Sequence, residues 1–258
     1  MSTTLTLRSF EYWRFQYKRT WRGTVVTSIL TPALYLAAMG VGLGSLVTGE
    51  RASSLGTDSY LLFIGPALVA TTAFQTGMFE AMYPVMAAIK WIKTYVAMLA
   101  TPMTTRDVLH GHLLWMALRI FQTTSIFLGV GSLFGAFSSW EALACLPFAL
   151  LLGMAVALPM TAYSATTETE SGFAAIQRFV VIPLFLFSGT FFPLSQLPAP
   201  LEIAAWLTPL AHGVALCRAA ALGDLSFLPA LGHVSYLVLL AGVGLFLAER
   251  AYARRLHR

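Results

Sequence analysis

Charge-free apolar runs recur along the chain at Thr24 to Val47, Tyr60 to Phe79, Leu109 to Phe137 (broken only by Arg119), Ala142 to Thr167, Phe179 to Leu201, Ile203 to Cys217 and Leu225 to Ala248. A helix rising about 1.5 Å per residue needs about 20 apolar residues to cross roughly 30 Å of hydrocarbon. Six of the runs meet that need. The run from Ile203 to Cys217 holds 15 residues, follows Pro193, Pro198 and Pro200, and carries Pro209 in its middle. Proline breaks the helical ladder, so this stretch reads as a re-entrant or interfacial hairpin over residues 193–220. The pattern predicts an all-α integral membrane protein with six transmembrane helices and an outer hairpin between spans five and six.

The distribution of lysine and arginine orients these spans, because short cytoplasmic loops collect them. Arg8, Arg14, Lys18, Arg19 and Arg22 precede the first span, and Arg250, Arg254, Arg255 and Arg258 follow the last. Both termini therefore belong on the cytoplasmic side, which requires an even number of crossings. With six spans the inner loops add Lys90, Lys93, Arg106 and Arg178, so 13 of the 16 basic residues lie inside. Arg51 and Arg218 fall outside, and Arg119 lies within a span. The expected location is the plasma (inner) membrane, multi-pass.

Two cytoplasmic helices are predicted. On a helical wheel Thr6, Leu7, Phe10, Trp13, Tyr17 and Trp21 share one arc, opposite Arg8, Glu11, Lys18, Arg19 and Arg22. Tyr and Trp favour the headgroup layer and the basic face suits anionic lipid, so residues 1–23 read as an amphipathic interfacial helix that turns into the first span. A plain topogenic basic tail is the alternative. The second helix runs from Val85 to Leu99 after Pro84, bears Lys90 and Lys93, and stops at Pro102. Thr104-x-x-Asp107 then has the pattern of a helix start and caps the third span. In the other inner loop, Thr166 to Gly172, the acids Glu168 and Glu170 either follow a capping Thr or Ser or meet a basic surface on a partner.

Composition narrows the class. The chain is 57% hydrophobic and 10% charged, against roughly 45–50% and about 25% for soluble domains. A water-soluble enzyme is excluded. The net charge of +5 is accounted for by topology, so no nucleic-acid surface is needed. Cys145 and Cys217 lie in apolar stretches without CxxC spacing and read as inert packing residues. The chain has no Asn, hence no glycosylation sequon, and no stretch resembling a cleavable secretory signal. Each of the three lysines follows Tyr17, Ile89 or Ile92, so the Gly-Lys of a P-loop is missing, as are GxSxG and HExxH. No catalytic constellation and no metal site are expected. His110 and His112 stand two apart, on different helix faces, and His233 reads as a helix-to-helix hydrogen-bonder. Gly40, Gly42, Gly44, Gly131 and Gly135 include spacings that permit close helix approach. Arg119 stands out, since a central arginine costs roughly 2.5 to 3.5 kcal/mol on insertion scales. It either contacts an anionic headgroup in a pathway or pairs within the bundle, for example with Glu80.

The layout resembles the type 2 ABC-exporter permeases, in particular the branch of nodulation-type lipo-oligosaccharide exporters and related drug-efflux permeases. The resemblance is carried by Phe187-Ser188-Gly189-Thr190-Phe191-Phe192-Pro193-Leu194-Ser195-Gln196-Leu197-Pro198, continuing to Pro209-Leu210-x-His212 and Arg218. Tyr95 to Met103, Gly111-His112-x-x-Trp115, Phe63-x-x-Pro66 and Phe79-Glu80 fit the same branch in order. The resemblance implies an interfacial helix over 1–23 bearing Phe10, Trp13, Tyr17 and Trp21, then a permease domain over 24–258. It implies a coupling helix at about 85–100, in which Val85, Ile89, Lys90, Trp91, Lys93 and Tyr95 meet an ATPase subunit. Two such chains, as a homodimer or paralogous heterodimer, would pair with two ATP-binding cassette subunits that hold ATP and Mg. This chain itself would bind no cofactor. An amphipathic lipid, glycolipid or drug would pass outward between the permeases, with Arg119, Phe187, Phe191 and Phe192 as pathway candidates.

Two rival readings remain beside this one. A gradient-driven carrier would be expected to show internal repeats and buried acids near the midplane, whereas the acids here cluster at span ends. A non-transporting scaffold for a soluble ATPase would present the same docking surface.

Overall fold

The computed structural model describes residues 3–43, 57 and 59–256; Gly44, Val47, Arg51 and Arg258 lie outside the described residues. The regular elements among those residues are all helical. They are α1 (Thr3–Leu36, continued by a π-type stretch Ala37–Leu43), α2 (Tyr60–Met86, continued by Ala87–Trp91), α3 (Thr94–Leu99), α4 (Thr105–Leu133) and α5 (Cys145–Thr166). After these come α6 (Ser171–Phe187), α7 (Ala199–Trp206), α8 (Pro209–Leu222) and α9 (Phe227–Leu256). Helices α1, α2, α4, α5 and α9 are each long and apolar enough to cross a membrane, and α7 with α8 makes a sixth if counted as one bent span.

Helix α2 is the most buried of the long helices, with Phe63, Ile64, Leu68, Phe74, Met82 and Val85 inside the bundle and Gln75, Thr76 and Glu80 on its one polar side. It crosses α5 at glycine: a Cβ on Gly77 would come within 2.4 Å of the Gly153 carbonyl oxygen. Helix α1 meets α4 the same way, since a Cβ on Gly111 would lie 2.4 Å from Ser9 Cβ. Such contacts let membrane helices gain dispersion energy where no hydrophobic effect draws them together. Of the glycines singled out from sequence, Gly40 abuts Leu61 of α2, whereas Gly131 faces Phe137 in the loop after its own helix.

Several expected boundaries move. The turn expected near residue 23 is absent: α1 runs through it, with Thr24 Oγ1 donating to Thr20 O and Thr27 Oγ1 to Gly23 O across the junction. No proline stands there to stop the ladder. Pro84 likewise fails to end α2, which continues to Trp91, so the predicted helix Val85 to Leu99 is split. Proline in a helix interior costs about 3 kcal/mol, but burial of Ala81, Met82, Val85, Met86, Ala88 and Ile89 around it outweighs that penalty. The break falls instead at Lys93, whose φ of 59° is left-handed and ends the helix before α3.

The fifth run is displaced too, from Phe179–Leu201 to Ser171–Phe187, because Gly189, at φ +80°, turns the chain just after α6. Thr104 and Asp107 form the expected capping box at the start of α4. Where the hairpin was expected lie α7 and α8, a helix pair bent by 84°, the geometry of either a broken span or a re-entrant loop. Thr208 is extended ahead of Pro209, as a residue before proline must be. The acidic loop behaves otherwise than expected, for neither Thr nor Ser caps α6; its first position follows Glu170 without a side-chain cap bond.

Candidate functional site

Most of the aromatic arc of α1 packs against the protein. Trp13 stacks on His112 at 4.0 Å and 8°, while Phe10 and Tyr17 lie 6.4 and 5.4 Å from Trp115. Of the four residues proposed for interfacial contact, Trp21 alone is exposed. The wheel gives a helix its two faces but not what covers each, and here α4 covers the aromatic one. The exposed face carries Arg14, Phe15, Lys18 and Arg22, with Arg14 and Lys18 placed 5.6 and 5.2 Å from the Phe15 ring.

Past Tyr17 the helix buries little, and a cleft opens between α1 and α2. It holds two neighbouring cavities, of about 630 and 280 Å³, with Gln75 and Thr76 of α2 in the wall of both. The larger is walled by rings, among them Tyr12, Tyr17, Phe79, Tyr83, Trp91 and Trp115. The smaller is lined by hydroxyls, including Thr27, Ser28, Thr31, Thr71 and Thr72. Pro32, Tyr35, Leu68, Phe127 and Phe185 stand among those hydroxyls, so both cavities offer a mainly apolar lining with a few polar groups, which suits a molecule that is part apolar and part polar.

Arg119 lies in the wall of the larger cavity, 14 residues into α4 and so about 21 Å from its start. Its Nε donates to Glu80 Oε1 at 3.1 Å and its Nη1 to Gln122 Oε1 at 2.9 Å. Gln122 Nε2 donates to the Tyr17 hydroxyl at 2.9 Å, and the guanidinium sits 4.7 Å from the Tyr17 ring centre. The two charged side chains are only 9% and 12% exposed. Pairing offsets the desolvation of both charges, and the pair joins α4 to α2. Of the alternatives weighed from sequence, the structure shows pairing within the bundle, with Glu80, and it places the pair beside the larger cavity.

At the far end the three phenylalanine candidates separate. Phe191 packs edge-on against Phe185 at 4.9 Å and near Tyr35 at 6.5 Å, and both of those partners line the smaller cavity. Phe187 is 45% exposed and Phe192 half-buried, and neither is in the wall of these two cavities. The sequence Ser188-Gly189-Thr190 is a buried plug, with Thr190 Oγ1 3.3 Å from Thr71 Oγ1. Arg218 clamps it, donating to Gly189 O at 2.7 Å and to Phe63 O at 3.2 Å while lying 3.8 Å from the Phe63 ring. Arg218 thus lies inside α8 and is no loop charge; the apolar residues Ala219 to Leu222 that follow it are the signal in the sequence. Between α8 and α9, His212 and His233 approach to 2.7 Å, the expected helix-to-helix contact.

Of the six coupling candidates, Val85, Ile89 and Tyr95 are buried. Tyr95 hydrogen-bonds His112 and receives a bond from the Tyr252 hydroxyl at 3.3 Å, which pins α3 to α4 and α9. Trp91 and Lys93 are exposed, along with Ile92 and Val96, and Lys90 turns to Glu168. Glu168 therefore meets basic groups of its own chain. Its two cations, Arg255 first and Lys90 second, lower its carboxyl to about 2.

Among the described residues, no three His, Cys, Asp or Glu side chains are grouped so as to hold a metal ion. Cys145 and Cys217 are buried together, the Cys145 thiol donating to Cys217 O at 3.1 Å.

The chain is similar along nearly its whole length to rhizobial proteins named nodulation protein J. It is 31% identical to that of Rhizobium meliloti (strain 1021), over 95% of this chain and 92% of the relative. To that of Rhizobium leguminosarum bv. trifolii it is 30% identical, over 95% and 93%. The Bradyrhizobium diazoefficiens protein gives the same 30%, also over 95% and 93%. The family described as ABC-2 type transporter matches residues 3–222. The chain belongs to the ABC-2 type transporter family, as a multi-pass membrane permease subunit that does not itself hydrolyse ATP.

Proposed function

We propose that the chain forms the outward pathway of an exporter for an amphipathic lipid, glycolipid or drug, driven by ATP and Mg on two separate ATP-binding cassette subunits. A second permease chain, identical or paralogous, completes the pathway in the plasma membrane. The observation that carries this reading is the pair of neighbouring cavities beside α1 and α2, mainly apolar with a few polar groups, the larger bordered by the nearly buried Arg119–Glu80 pair between α4 and α2. A charged pair in a bundle otherwise so apolar marks a route for polar groups.

Arg119, Glu80, Gln75 and Thr76 meet the polar part of the cargo, and Phe191 closes the far wall. The end of the bundle bearing both chain termini, Lys90 and Arg106 faces the cytoplasm, in keeping with the concentration of basic residues there. Six crossings follow if α6 is the fifth and the bent pair α7–α8 dips in from the outer face. Trp91, Ile92, Lys93 and Val96 form the ATPase contact, with Val85, Ile89 and Tyr95 as its buried footing.

The deciding experiment is purification of the tagged chain from its native membranes into lipid nanodiscs, followed by an ATP-hydrolysis assay. A bound P-loop ATPase whose hydrolysis falls when Trp91 and Ile92 are replaced by Ala and Asp supports the reading. Folded chain that carries no ATPase in any lipid mixture removes it and brings the gradient-driven carrier forward.

A further inference from the structure

The acidic loop after α5 and the last turns of α9 meet the coupling segment from the side. Lys90 Nζ donates to the Glu168 main-chain carbonyl and to its Oε2, each at 2.5 Å, and Arg255 Nη1 meets Oε1 of the same carboxylate at 2.6 Å. One side chain thereby joins the end of α2, the α5–α6 loop and the end of α9. A second acid, Glu249 of α9, lies 3.4 Å from Arg106 and 3.6 Å from His110 in the first turns of α4. Lys90 stands just before the left-handed break at Lys93, and Arg106 just after the capped start of α4. The segment between them, with exposed Trp91, Ile92 and Val96, is therefore bracketed by two ionic contacts, both leading to α9.

These contacts are poorly suited to holding the fold together. The Glu168 and Arg106 side chains are each 64% exposed, and solvent-exposed pairs add little to stability. What they do fix is direction and spacing, since Glu168 is shared by cations from two different elements and Glu249 by Arg106 and the His110 ring one turn further along α4. Helix α9 is packed on α5, with Gly244 against Leu158 and Pro159, so it can carry a displacement onward into the bundle.

We propose that Glu168 and Glu249 are positioning residues for the coupling step, locking residues 91–105 to α9 so that a push on that segment shifts α9 and the α5–α6 loop together with α2 and α4. The proposal rests on the coupling role given above to that segment, and it adds α9 and the acidic loop to the path of force. Without the clasps, the left-handed break at Lys93 would absorb the push locally.

The test compares wild type with Glu168→Gln, Lys90→Glu and the full reversal Lys90→Glu/Glu168→Lys/Arg255→Glu, each in lipid nanodiscs. Hydrogen exchange of the peptides covering 91–104 and 248–256 is read on the permease alone. ATP hydrolysis is read on its complex with the ATPase. The expected result is faster exchange in both peptides for the first two variants, a loss of permease-dependent hydrolysis of about threefold or more, and recovery of both in the reversal. Exchange that stays unchanged overturns the proposal, as does faster exchange with hydrolysis unaltered, or a folded reversal that restores neither. A wild-type chain that carries no ATPase overturns the coupling reading itself, which is distinguishable because exchange is measured without the ATPase. Glu249→Gln, which opens the second bracket, serves in the same way should Lys90→Glu not yield folded chain.

Discussion

Arg119 illustrates how one residue can be both a structural tie and part of a candidate route. Its pairing with Glu80 was one of two alternatives open in the sequence, and nothing in the spacing could choose, because the two residues sit 39 positions apart on different helices. Arg119→Gln leaves Glu80 nearly buried beside a neutral amide, and loss of one partner of such a pair costs about 3–5 kcal/mol. Arg119→Gln/Glu80→Gln should lose distinctly less, a non-additivity readable as thermal unfolding midpoints in detergent. Asp107 was fully legible by contrast, since Thr104-x-x-Asp107 is a local pattern whose partners lie within one turn. What the pattern did not reveal is the bond from Thr6 Oγ1 to Asp107 Oδ1 at 3.1 Å, which ties α1 to the same cap. Asp107→Ala is expected to cost about 1–2 kcal/mol through the lost cap and to loosen the α1–α4 contact, measurable as a lower unfolding midpoint with faster exchange at residues 5–10.

At the scale of elements, the sequence marked helices well and their ends poorly. Periodicity and apolar length are local quantities, but whether a proline halts a helix depends on what surrounds it. Pro84 lies inside α2 because its neighbours are buried, whereas Pro209 opens α8 with nothing to carry a helix across it. The actual break is at Lys93, an unfavourable place for a side chain with φ of 59°. Left-handed backbone costs a non-glycine residue roughly 1–2 kcal/mol. Lys93→Gly should therefore raise the unfolding midpoint or leave it level, and the β-branched Lys93→Val should lower it. Helix crossings carry the opposite constraint. Gly77→Leu would drive its side chain into the α5 backbone at Gly153, and overpacking of this kind costs about 1–3 kcal/mol or more, seen as reduced yield of monodisperse protein.

For the molecule as a whole, pH gives a test of the ionic clasp. Glu168 has its carboxyl lowered to about 2 by Arg255 and Lys90, so protonation favours the open state. Its contribution is complete above the ordinary carboxylate range and falls away as pH drops from about 4.5 through 2. Exchange at residues 248–256, corrected for intrinsic rate, should rise in wild type as pH falls below about 4.5, and rise distinctly less in Glu168→Gln, where only the Glu249–Arg106 contact is left to lose. By itself the sequence determined the membrane class, the number of apolar runs, the helix-start signals, the missing hydrolytic machinery and the resemblance to a permease family, because each depends on composition or on residues close along the chain. The tertiary structure decided which face of α1 is covered, where α2 breaks, that Glu80 answers Arg119, that Arg218 clamps the turn at Gly189, and that Glu168 and Glu249 reach the end of α9. Those are contacts between distant segments, and hydrophobic patterning, which in a membrane chain marks nearly every helix face as apolar, does not specify which apolar face meets which.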